Sequence, residues 1–152
     1  MRKSRKLKTE KNFTPCKENG GDEIFRNGIF RFNITRILED IHSGKLKAER
    51  EKLDVSKWFK RHCKGAINEN HLPSVVFSQP VLQAEISPGN FVIIDGNHRM
   101  EKALQDDILF VDSFKIRGEQ LIPYFTEEKG YKAFIPYWNG KVEELFCEEI
   151  LR

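Results

Sequence analysis

The stretch FVIIDGNHRMEKALQ, residues 91–105, constrains the fold more than any other part of the chain. A short apolar run suited to a buried strand ends directly at Gly96. Apolar residues then return at Met100, Ala103 and Leu104, along one face of a helix. A strand that hands over to a helix through one glycine must turn tightly at the carboxyl end of its sheet. Upstream, VLQAEI reads as a second strand and SPGN as the turn between the two. Downstream, ILFVDSFKI reads as a third. Asp106 and Asp107 stop the helix, because carboxylates are disfavoured at the negative end of its dipole. Strands interleaved with helices predict an α/β (α+β) fold, a small mixed sheet with flanking helices.

The remaining elements are read outward from that centre. EIFRNGIFRFNI carries Asn27-Gly28 between alternating residues, a hairpin signal, with Phe30, Phe32 and Ile34 facing the core and Arg31 and Asn33 outside. Thr35 is the expected cap of a helix through Ile37, Leu38 and Ile41 that ends at Gly44. KLKAEREKLDVSKWFKRH is strongly charged. Asp54 is the expected cap of a second helix that turns Trp58 and Phe59 inward, and Val75–Phe77 reads as a short extended piece. From about residue 118 the chain reads as two or three helices broken at Pro123, Gly130, Pro136 and Asn139-Gly140. At 152 residues with 12 phenylalanines, the expected organisation is one aromatic-rich domain over residues 23–152, preceded by a basic, flexible tail over 1–22.

Charge and cysteine usage narrow the class. Residues 1–11 carry six basic groups and one acid, whereas the rest of the chain is slightly acidic, so a large dedicated DNA-binding face is not expected. The basic tail could reach nucleic-acid phosphates, and its bland alternative is a solvated, disordered end. No apolar run is long enough to span a membrane, the N-terminus lacks the apolar core of a signal peptide, and a cytoplasmic protein is expected. Cys16, Cys63 and Cys147 are widely spaced, which suits reduced thiols better than a zinc site or disulfide framework.

The turn at residues 95–99 is the candidate site. Amides opening a helix have no intrahelical acceptor and carry partial positive charge, which suits an anion. Gly96 permits close approach and Asn97 can cap. His98 and Arg99 place cationic or protonatable groups where the helix dipole disfavours them unless an anion compensates. Arg99 could grip phosphate in a bidentate fashion, His98 could donate to it or move a proton, and Asp95 could hold a divalent cation or orient a nucleophile. The bland alternative is a capped turn with Arg99 paired to an acidic neighbour.

IDGNHRMEKA resembles the DGxHRxxA signature of the ParB/sulfiredoxin superfamily in its ParB-like form, and the element order over about residues 29–117 is similar. The resemblance implies a phosphate-handling turn at Gly96, Asn97, His98 and Arg99, with ATP, ADP or CTP and Mg²⁺ as the expected ligands. Sulfiredoxins carry a cysteine where this chain has Asn97, so their thiol chemistry is not expected. The ParB partition proteins carry an arginine-rich version followed by a helix-turn-helix domain, which is not expected here either. The closest versions are the turns of free-serine kinases and of small ParB-like nucleases. In the kinases an early glutamate is the base, and Glu39 and Asp40 stand nearest that place.

Further candidates are Glu101, three residues beyond His98 on the same helical face, and Glu119, which follows the third strand. Glu101 otherwise serves the helix dipole, and Glu119 with Gln120 otherwise forms a capping box. His42 is expected as a helix-end contact, His62 as part of the basic KWFKRHCK stretch, and His71 as a loop residue. Tyr131, Phe134, Tyr137 and Trp138 form an aromatic stripe expected in the core. The expected function is a nucleotide- or phosphate-binding protein, possessing phosphotransferase or phosphodiesterase chemistry. The alternatives are a nucleic-acid-associated nuclease or regulator that uses the basic tail and the 57–64 segment, whose bland reading is a solvated helix face, and a non-catalytic module that binds a partner.

Overall fold

The computed structural model describes residues 6–62 and 79–151, with side chains to residue 148. Cys63, His71 and the expected Val75–Phe77 strand lie outside the described residues. The elements, in order, are β1 (Ile24–Asn27), β2 (Phe30–Asn33), α1 (Ile34–His42), β3 (Glu49–Asp54), α2 (Val55–Arg61), β4 (Val81–Ser87), β5 (Asn90–Asp95), α3 (Asn97–Gln105), β6 (Phe110–Ile116), α4 (Gly118–Leu121) and α5 (Glu128–Leu151). A 3-10 turn, Ile122–Tyr124, links the last two helices. The expected mixed α+β architecture is present: β1 and β2 form a two-stranded sheet, and the four-stranded sheet runs β3-β6-β4-β5. Within it β3 pairs antiparallel to β6 while β4 pairs parallel to it. No helix among the described residues is long and apolar enough to cross a membrane.

The chain divides into two compact units. The first comprises Met1–Lys47, Glu85–Asn90 and Arg117–Arg152, and the second Ala48–Ala84 and Phe91–Ile116. The first unit is built on aromatic packing. Tyr131, Phe134, Ile135 and Trp138, spaced i, i+3, i+4 and i+7, are all buried along α5. Phe125 meets Phe32 at 4.6 Å and Phe134 at 5.1 Å between ring centres. This packing explains why α5 is continuous from Glu128 to Leu151, where the sequence reading broke it at Gly130, Pro136 and Asn139-Gly140. Pro136 removes one helical N–H donor, and the buried face around it outweighs that loss. Gly130 is needed for a different reason: a Cβ there would stand 2.6 Å from the Ile29 carbonyl oxygen.

Capping in the first unit also departs from expectation. Asn33, expected outside, is fully buried and caps α1, its side chain accepting from the Arg36 N–H at 3.0 Å. Its amide nitrogen donates to Asp22 at 2.9 Å and to the Lys17 carbonyl at 3.1 Å. Thr35 instead accepts from the Glu23 N–H. A buried amide with three such partners is cheaper to enclose than its alternation on the strand suggests. Residues read as tail are engaged: Asn139 exchanges two hydrogen bonds with the Leu7 backbone, Phe13 stacks on Tyr131 at 3.9 Å, and Lys6 pairs with Glu143.

The second unit has an aliphatic core of Leu53, Val55, Val81, Ile93, Met100, Ala103 and Val111, against which Trp58 and Phe59 pack in part. Strand β3, absent from the sequence reading, begins with four exposed charged residues, Glu49–Lys52, and only Leu53 is buried. Charges on an edge strand block pairing with other chains and erase the alternation by which strands are found. Asp54 caps α2 as expected, accepting from the Lys57 N–H at 3.0 Å. Towards the other end of β3, buried Gln83 donates to Ser113 at 2.9 Å, and Ser113 donates to the Glu51 carbonyl.

Candidate functional site

The turn from β5 into α3 begins with Gly96 at φ +104°, a conformation that side-chain-bearing residues rarely adopt. A Cβ at this position would stand 2.6 Å from a Val81 methyl and 2.7 Å from an Arg99 guanidinium nitrogen. Glycine is therefore required twice over, by backbone torsion and by the closeness of both neighbours. Gly96 itself occupies the N-cap, so α3 opens with no side-chain cap, in contrast to α1 and α2. The first helical bond runs from the Met100 N–H to the Gly96 carbonyl. Asn97, expected as the cap, is already inside the helix, and its amide donates back to the Ile93 carbonyl at 3.3 Å. That bond ties the helix start to the strand that feeds it.

Arg99 folds back over this turn. It donates to Asp95 at 3.1 Å and to Gln79 at 3.1 Å, and only 13% of its side chain is exposed. Its Nε is buried with no hydrogen-bond partner. A guanidinium held in place by two of its nitrogens is pre-organised, and an unpartnered buried donor is costly unless water or a ligand reaches it. The acidic neighbour of the bland alternative is thus Asp95, one helical turn back. Gln79, from the segment entering β4, carries no sequence signal that places it here.

The other candidates are distributed differently. Asp95, Gly96, Asn97, His98 and Arg99 share the turn and are half-buried, and Glu101 is buried on the same helix. Glu39, Asp40 and Glu119 belong to the first unit. Glu39 pairs with Arg36, and Asp40 accepts from the Tyr124 hydroxyl at 2.7 Å. Burial, reinforced by that hydrogen bond, pushes the phenol well above its ordinary range. Gln120 rather than Glu119 completes the capping box, accepting from the Arg117 N–H at 2.8 Å. Among the described residues no group of three or more His, Cys, Asp or Glu is placed to hold a metal ion. Cys16 and Cys147 are free thiols, and burial pushes the Cys16 thiol up.

No family model, curated protein or solved structure matches this chain. The chemistry of the turn is therefore argued from its own geometry. It joins a sheet's carboxyl end, an uncapped helix start and a half-buried guanidinium within five residues, and each of these favours an anion.

Proposed function

We propose that the Asp95–Arg99 turn binds the phosphate of a nucleotide or another phosphorylated small molecule, and that the protein's chemistry is phosphoryl or phosphodiester transfer. The observation that carries this reading is the uncapped start of α3 behind Gly96, with Arg99 folded over it. Backbone amides of the first turn receive the phosphate oxygens. Arg99 supplies the counter-charge, and Asp95 holds Arg99 in place until the anion arrives. His98, in the first turn of α3, stabilises charge or carries a proton. The resemblance of IDGNHRMEKA to the ParB-like signature supports the same assignment.

Mg²⁺ usually reaches such sites on the phosphates themselves, needing one or two protein carboxylates. Asp95 is the carboxylate that would hold it. The alternative of nucleic-acid binding through the basic N-terminus draws less support from residues 6–11, because Lys6, Leu7 and Glu10 are committed to partners on α5.

Titration calorimetry with ATP, ADP and CTP, with and without Mg²⁺, tests the reading. Arg99→Ala is expected to weaken binding at least tenfold, about 1.4 kcal/mol. Arg99→Lys, which keeps the charge but loses the fork, is expected to fall between the two. Unchanged affinity in both variants removes Arg99 from the site. No binding of any nucleotide by the intact protein favours a non-catalytic partner-binding module.

A further inference from the structure

Helix α2 carries Lys57, Lys60 and Arg61 at i, i+3 and i+4, so they share one helical face, and all three are exposed. Among the described residues none of the three has an acidic partner. Like charges at these spacings oppose helix formation. The helix dipole favours Lys60 and Arg61 in the last turn, yet it disfavours Lys57 in the first. An external polyanion removes both penalties.

The platform beneath these cations is fixed. Asp54 caps the helix, and Trp58 and Phe59 pack against the aliphatic core. The His62 ring lies parallel to the Trp58 indole, 3.7 Å between centres at 7°, with its Nδ1 3.1 Å from the Trp58 carbonyl. A half-exposed, flat imidazole thus follows Arg61 at the end of α2, where a base could stack.

We propose that this face of α2 binds single-stranded nucleic acid, with Lys57, Lys60 and Arg61 on consecutive phosphates and a base against the His62–Trp58 stack. Single strands fit because their bases are free to stack, whereas a duplex buries base faces and offers only its backbone. Its residues are distinct from those of the Asp95–Arg99 turn, and the proposal does not rest on the reading of that turn.

Fluorescence anisotropy of the full chain with a labelled, mixed-sequence DNA strand of about 16 nucleotides tests this, titrated across about 50–200 mM salt. Three phosphate contacts predict a slope of log affinity against log salt near about −2, from about −0.7 per contact. Combining Lys57→Gln, Lys60→Gln and Arg61→Gln should flatten that slope to near zero, leave thermal melting unchanged, and leave nucleotide binding at Arg99 intact. Lys60→Arg should keep the slope. His62→Ala should lower affinity without changing it. An unchanged slope and affinity in the triple variant overturns the proposal. So does a blunt duplex binding as tightly as the single strand, or heparin of matched charge displacing the strand mole for mole.

Discussion

The two units solve the problem of stability differently. In the first unit, rings are packed against rings from Phe32 to Trp138, and buried polar groups such as Asn33 have several partners. In the second, a smaller aliphatic core supports α2 and α3, and charge is left uncompensated: an uncapped helix start, a buried Arg99 Nε, and three exposed cations on α2. Unpartnered buried atoms occur in both units, Arg31 Nε and Thr126 Oγ1 in the first and Arg99 Nε in the second. The Arg99 donor differs in standing beside a helix start without a side-chain cap, where an anion would supply acceptors to both.

Truncation in the aromatic unit should therefore cost the most. Trp138 is 1% exposed and lies over Gly118, where a Cβ would stand 2.3 Å from the indole. Trp138→Ala is expected to lose about 3–5 kcal/mol in urea unfolding. Overpacking comes next: Gly118→Ala and Gly130→Ala, each driving a methyl into a packed neighbour, should lose about 1–3 kcal/mol. A loss below that range in both would mean that the first unit is looser than its ring packing implies.

Gly96→Ala in the second unit imposes a similar strain, about 1–3 kcal/mol, with an added functional consequence. The new methyl displaces Arg99, so phosphate binding should fall more steeply than stability does. Removing the α2 cap by Asp54→Ala should cost about 1 kcal/mol, read as a lowered denaturant midpoint.

The smallest effect distinguishes the units by pH. The Asn33 amide, then the Asn19 N–H, hold the Asp22 carboxyl below its ordinary value of 3.8. A depressed carboxyl pKa stabilises the fold fully above that ordinary value, and the contribution is lost as pH falls through the lower, folded value. Acid titration of wild-type and Asp22→Asn should therefore diverge above about pH 4 and converge in stronger acid. Parallel curves throughout would remove Asp22 from the capping network.

Much of the second unit was legible because its signals are local. Alternation and apolar runs marked β4, β5 and β6, and Gly96 followed by helical spacing marked α3. Edge strand β3 was illegible, since Glu49–Lys52 carry the charges that protect an edge rather than the pattern that announces one. In the first unit, local punctuation misled. Gly130 and Pro136 ordinarily end helices, but the burial of Tyr131, Phe134, Ile135 and Trp138 is a tertiary effect that no window of sequence displays. At the site the five turn residues were found by composition. An acidic partner for Arg99 was anticipated as the bland alternative, but not that it would be Asp95, and Gln79, twenty residues away, could not be anticipated at all.

Amide resonances report on the turn most directly. With ¹⁵N-labelled protein and ADP or ATP plus Mg²⁺, the largest shifts should fall on Gly96, Asn97, His98 and Arg99, together with the Arg99 Nε–H. Nucleotide that leaves these five signals in place while moving others would contradict a phosphate cradle at the start of α3.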